Sequence, residues 1–252
     1  MFTVQERDFT RDRLLSLAVG DAAIVGAAVT GSDAVQGGDR WSDIDLVFGV
    51  EGSLETTMRR WTELIHHAFD AVHHWDLHAG SAVYRVFLLA NGLEADIAFV
   101  PAAEFGPHGP SWRTVFGHPA PAKEALAPNR RTLTGMGWHH ALHASVCIQR
   151  RRWWQAEHWI SALRSQILAL ACLRLGHPTS YAKGAHLLPD EVTAPLAETL
   201  VRALDEAELT RALNAATSAL VAEISLVDPA LSSRLAHILS AQRTGDESPR
   251  PT

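Results

Sequence analysis

The sequence predicts an α+β protein: a mixed-sheet domain over residues 1–120, then an all-α helical bundle over 121–241 and a disordered tail at 242–252. Three observations carry this. Short β-branched runs alternate with helix-like stretches in the first half. The stretch 101–128 is rich in Pro and Gly. Beyond it, every apolar pattern has the helical period.

Taken in order, Arg11–Leu17 reads as a helix, and the small, β-branched run Ala23–Val29 as a buried strand. Asp43–Val50 is a second strand. Ser53 is suited to cap a helix over 54–69. Val72–Leu77 is a third strand. Ala82–Ala90 and Leu93–Val100 are two strands joined by Asn91-Gly92, a strong hairpin signal. The 101–128 connector holds at most one helical turn. Helices follow over 131–152 and 155–175, the second stopped by Gly176 and Pro178. Three more cover 191–204, 206–224 and 229–241.

Acidic residues outnumber basic ones, 28 to 22, for a formal net charge of -6. A protein that grips long nucleic acid needs clustered Lys and Arg to replace phosphate counterions, so DNA or RNA is not the expected partner. Arg150-Arg151-Arg152 is the obvious candidate for a local basic patch. The two cysteines, Cys147 and Cys172, fall in stretches read as buried helix, which fits a reduced, cytoplasmic setting. No apolar run reaches the length of a membrane span, and residues 1–13 do not read as a signal peptide.

The chemistry concentrates in two strands. Val29-Thr30-Gly31-Ser32 ends the first, and Asp43-Ile44-Asp45-Leu46 opens the next. Side chains alternate along a strand, so Asp43 and Asp45 share a face while Ile44 and Leu46 point to the core. Adjacent carboxylates repel unless a cation neutralises them, and hard oxygen ligands suit Mg²⁺, with Mn²⁺ as the alternative. Asp96 stands in the apolar run Ala95-Asp96-Ile97-Ala98, where a lone carboxylate is costly to bury. If its strand lies beside the Asp43–Val50 strand, three carboxylates converge. Such a set can hold two cations about 3.5–4 Å apart, the clamp of in-line phosphoryl displacement. Gly31 lets a phosphate approach the backbone, Ser32 offers a hydroxyl and an N–H, and Gly37-Gly38 keeps the following loop slim.

The run Gly31-Ser32 through Gly37-Gly38 to Ser42-Asp43-Ile44-Asp45-Leu46 resembles the signature of the DNA polymerase β-like nucleotidyltransferase superfamily. Within it, the pattern is most similar to the aminoglycoside (streptomycin/spectinomycin-type) adenylyltransferases. The resemblance is motif-grade over 29–48. It implies transfer of a nucleoside monophosphate, AMP from ATP, to a hydroxyl of a small, antibiotic-like acceptor, with Mg²⁺ as cofactor and pyrophosphate released. It makes Asp43, Asp45 and Asp96 the metal and catalytic residues, with Asp96 helping to deprotonate the acceptor. Gly31, Ser32, Asp43 and Asp45 would contact the nucleotide. Lys183, in Tyr181-Ala182-Lys183 before Leu188-Pro189, would contact its phosphates; otherwise it is a surface lysine. The helical domain would close the acceptor side. Many minimal superfamily members carry Arg after Gly-Ser, where this chain has Asp33.

Trp138, Trp153, Trp154 and Trp159 cluster near the start of the second long helix. Core packing is the common explanation; Trp154 and Glu157 are the candidate acceptor contacts. The 14 histidines show no H-E-x-x-H arrangement and read as structural or surface residues. Three other readings stay open: nucleotidylation of a protein or tRNA, as in toxin–antitoxin systems, a non-catalytic nucleotide-binding module, and a structural helical interaction protein. A monomer or homodimer is expected.

Overall fold

A computed structural model describes residues 2–35, 38–107, 109, 111–122 and 129–241, the side chains of 240 and 241 excepted. The chain divides into two compact units, Met1–Leu126 and Ala127–Thr252. Among the described residues no helix is long and apolar enough to cross a membrane.

The first unit is a six-stranded mixed sheet with helices against one face. Its elements are α1 (Val4–Val19), β1 (Ile24–Thr30), α2 (Gly31–Ala34), β2 (Ile44–Val50), α3 (Leu54–Ala68), β3 (Ala71–Ala79), β4 (Ala82–Leu89), β5 (Glu94–Pro101) and β6 (Trp112–Phe116). The strand order is β3-β4-β5-β2-β1-β6. Among the described strands β2 and β5 run parallel, and the other neighbouring pairs are antiparallel.

Alternation sorts the strand residues onto two faces. Ile44, Leu46, Phe48, Ala95, Ile97 and Phe99 join Leu14, Leu15 and Ala18 of α1 and Met58, Trp61 and Ile65 of α3 in the main core. Trp61 also donates its indole N–H to Asp21 at 2.8 Å, so this large ring is buried with its polar atom satisfied. The opposite face has a smaller cluster: Ala28, Val47, Ala98, Val100 and Phe105, with Tyr84 and Trp112 beside it. Phe105 fits because Gly26 and Gly49 lack a Cβ, which would overlap its ring. Asp45 and Asp96 have the parity of this second face.

The second unit is helical: α4 (Arg130–Gln149), α5 (Trp153–Leu175), α6 (Asp190–Ala197), α7 (Glu206–Ser225) and α8 (Pro229–Ala241). Its core is built from Ile160, Leu163, Leu209, Leu220 and their neighbours. Gly137 allows α4 to approach Leu220 of α7, where a Cβ would press on the leucine methyl at 2.8 Å.

Several boundaries differ from the sequence reading. The first helix begins at Val4 rather than Arg11, because Thr3 and Glu6 form a reciprocal capping box upstream of the apolar residues. The helix expected over 131–152 stops at Gln149, where Arg151 takes a left-handed φ of 54°. That expected over 191–204 ends at Ala197, and the Thr199 hydroxyl then donates to the Leu196 carbonyl at 2.7 Å. The 101–128 connector contains a strand, β6, which pairs with β1 through Thr30↔Trp112. Ser53 and Gly176 cap as expected, the Ser53 hydroxyl accepting from the Thr56 N–H and Gly176 having φ 76°. Gly37, residues 123–128 of the connector and the 242–252 tail lie outside the described residues.

Candidate functional site

The site is built on β2 and β5. Their parallel register places Asp45 directly beside Asp96 and Leu46 beside Ile97. Residues so paired project to the same face, so the two carboxylates emerge side by side. Asp43 lies one residue before β2, with the parity of Asp45, and is partly buried. Burial, then the charges of Asp45, Asp43 and Glu94, push Asp96 far above the usual carboxylate range, to about 7. The Asp96 Oδ1 atom is fully enclosed and has no hydrogen-bond partner. An enclosed, unpartnered carboxylate oxygen beside a second carboxylate is a position that a cation or a proton would satisfy.

Two glycine positions show why the turn after β1 has its composition. Gly31 has φ 62°, and a Cβ there would collide with the Asp45 carboxylate. The turn therefore lies against the acid, and only glycine allows it. Gly38 is likewise pressed against the Asp33 carboxylate. Ser32 is the second residue of the short helix α2, and its hydroxyl is 3.1 Å from that of Ser42. Ser42 in turn accepts from the Asp39 N–H at 2.9 Å and donates to Asp39 Oδ1 at 3.2 Å. Asp33 binds Arg11 at 2.5 Å and Arg7 at 3.7 Å, so the position after Gly-Ser is anchored to two guanidinium groups from α1.

The fit to a divalent cation is partial. Among the described residues no three His, Cys, Asp or Glu side chains are grouped as a ready-made metal cage. The paired Asp45 and Asp96, with Asp43 close enough for its charge to act on Asp96, are nonetheless the donor types a hard cation takes, and Asp96 Oδ1 is an orphan. Tyr84, half-buried on β4 next to Ala98, has its phenol pKa raised by burial and then by the Asp96 charge. Sequence reasoning missed Tyr84, because nothing local links it to an acid 12 positions away.

A groove of about 630 Å³ lies on the other side of the sheet, between α3 and the outer strands β3 and β4. In it, Arg85 grips Asp76 with two bonds of 2.6 Å and donates to Thr62 at 2.5 Å. It does not include the carboxylate pair.

The residues expected from the second unit are placed as follows. Lys183 is exposed and follows Tyr181 and Ala182, both left-handed with φ 53° and 56°. The Gly184 N–H ties this turn to the Pro178 carbonyl at 3.0 Å. Trp154 is 77% exposed in the first turn of α5, unlike Trp153 and Trp159, which pack on the helical core. Glu157 is partly buried on the same helix. The histidines His139, His140, His143 and His158 surround Trp159, with ring centroids 5.0–6.1 Å from it. His140 is buried and its pKa is lowered, chiefly by burial, as for a structural neutral histidine.

Fold and site thus define an α+β chain whose mixed sheet carries a carboxylate pair beside a glycine turn. No family model matches the chain. No curated protein matches it. Among solved structures that do, the crystal structure of an aminoglycoside 6-adenyltransferase from Bacillus subtilis is 12% identical, covering 96% of this chain and 99% of that chain, with a TM-score of 0.44.

Proposed function

We propose that this chain is a Mg²⁺-dependent nucleotidyltransferase that moves AMP from ATP to a hydroxyl of a small polyhydroxy or aminoglycoside-like acceptor. The observation that carries this reading is the in-register pair Asp45–Asp96, with an unpartnered, enclosed Asp96 oxygen, beside the turn that begins Gly31-Ser32. Asp43, Asp45 and Asp96 would hold the cation. Bound there, Mg²⁺ would neutralise charge on the α-phosphate and on the leaving pyrophosphate.

The chain's own residues do the rest. Gly31 leaves the backbone open at the acid, and Ser32 offers its hydroxyl and N–H to the phosphate tail. Asp96, level with Asp45 on the same face of the sheet, is the carboxylate that would take the acceptor's proton. The acceptor oxygen bonds to the α-phosphorus, the bond to the bridging oxygen breaks, and pyrophosphate leaves with that electron pair. Lys183 as a phosphate contact, and Glu157 and Trp154 as acceptor contacts, belong to the same reading. The acidic net charge of -6 suits a cationic acceptor.

The test is a pyrophosphate-release screen with each nucleoside triphosphate, Mg²⁺ and a panel of aminoglycosides and lincosamides, run beside Asp45→Ala. Acceptor-dependent release lost in the variant is the expected result. Label from α-³²P-ATP appearing on protein or tRNA instead would move the acceptor to a macromolecule. ATP binding without release under any condition would leave only a nucleotide-binding module.

A further inference from the structure

We propose that Arg7 and Arg11 are positioning residues, which lock the two described ends of the Gly31–Ser42 turn from the neighbouring helix α1. This rests on the reading of that turn as the phosphate-binding element. Arg7 is 4% exposed, an unusual burial for an arginine, and its guanidinium donates to the Asp39 carbonyl. The same group lies 3.7 Å from Asp33 and 3.1 Å from Asp8. Arg11 closes on Asp33 Oδ2 at 2.5 Å and also touches Asp8 and Asp12.

The two arginines therefore reach both sides of the turn. Asp33 belongs to the segment that carries Gly31 and Ser32. Asp39 belongs to the segment that leads into Asp43 and Asp45, and it organises Ser42 and the Trp41 N–H, which it accepts at 2.8 Å. Ser42 joins the two segments through Ser32. With Asp8, Asp12 and Asp33 around them, Arg7 and Arg11 are already neutralised and bonded. They act through Asp33 and Asp39 rather than as free cations for a phosphate. The core contacts of Leu14, Leu15 and Ala18 hold α1 on the sheet independently of these arginines.

The experiment has two arms. Amide hydrogen exchange on the full chain without nucleotide reads the turn directly: protection should fall roughly tenfold or more at Trp41 and Ser42 in Arg7→Gln, and at Val35, whose N–H bonds the Ser32 carbonyl, in Arg11→Gln, about the factor of one lost charge-assisted hydrogen bond. Protection at Phe48 and Phe99, central in the sheet, should hold. The kinetic arm reads KM for the triphosphate, expected to rise roughly tenfold while kcat and the acceptor KM stay within about twofold, because the loss is of placement. Arg11→Lys should recover part of it. Arg11→Gln combined with Asp33→Asn should be no worse than the worse single variant, since both break one link. Unchanged exchange at Trp41 and Ser42 in Arg7→Gln or at Val35 in Arg11→Gln, or single effects that multiply in the double variant, overturns the proposal. If Arg7→Gln does not fold, Arg11→Gln carries both arms. A wild type that transfers nothing refutes the enzymatic reading alone, because the exchange arm needs no turnover.

Discussion

Asp45 and Asp96 sit opposite one another across the parallel strand pair β2–β5, on the face that α1 and α3 leave uncovered. Burial first, and then the like charges beside it, disfavour the ionised form of Asp96, which holds its proton to about pH 7. Removing that repulsion should separate stability from activity. Asp96→Asn is expected to raise the melting temperature of the metal-free protein at pH 8 and to lower transfer activity by roughly a thousandfold or more, the scale for loss of a general base or metal ligand. Thermal melts and pyrophosphate release on the same preparations check both. A variant that is less stable and equally active would contradict the assignment.

The same group sets a pH window. The Asp96 pKa is raised in the fold, so between about 4 and 7 the native state binds more protons than the unfolded chain, and stability falls as pH rises through that range. The contribution is fully present below the unfolded pKa and gone above 7. Asp21 and Asp76, held low mainly by hydrogen bonds to Arg60 and Arg85, act with the opposite sign and only at more acid pH. Denaturant titrations from pH 4 to 8 should show this decline in the wild type and a flatter profile in Asp96→Asn. Mg²⁺ should stabilise the wild type more at pH 8 than at pH 5, since the proton and the cation compete for one carboxylate.

Gly31 and Gly52 both have positive φ, at 62° and 82°, yet a Cβ would strike the Asp45 carboxylate at the first and meet nothing within 4 Å at the second. Alanine at either position should cost about 1–2 kcal/mol of stability through the backbone alone. Only Gly31→Ala should displace the carboxylate and weaken Mg²⁺ and nucleotide binding, by roughly tenfold or more for a misplaced ligand. Calorimetric titration of both variants makes the comparison; equal binding in the two would show that the turn does not serve the acid.

In the helical unit, Arg174 forms a two-bond pair with the buried Glu223 at 2.8 and 3.0 Å. Glu223→Ala leaves the partly buried guanidinium of α5 without its partner and should destabilise that unit by about 1–3 kcal/mol. Mg²⁺ binding to the sheet unit, measured at a temperature where the variant remains folded, should be unchanged. Trp154→Ala, at a 77% exposed position, should leave the melting temperature within about a degree. A raised acceptor KM in that variant would support its role as an acceptor contact.

Much of the architecture was legible in local pattern. Alternation marked β2 and β5, Asn91-Gly92 marked the hairpin, and Gly176 marked the end of α5, because each signal lies within a few residues of the structure it creates. β6 was hidden in the Pro- and Gly-rich connector because its identity as a strand comes from pairing with β1, about 85 residues earlier in the chain. The early start of α1 lay in a polar capping box that apolar periodicity does not register.

What the sequence by itself determined was the kind of chemistry available: the carboxylates at 43, 45 and 96, their shared parity along each strand, and a glycine where the backbone must meet an acid. Those follow from residue type and from a strand's two-residue repeat, which are local properties. The tertiary structure alone decided that β5 lies parallel beside β2, that Tyr84 feels the charge of Asp96, and that Arg7 and Arg11 close on Asp33 and Asp39. Those relations join residues distant in the chain, and they arise from strand order and helix docking, which the burial of one common core selects.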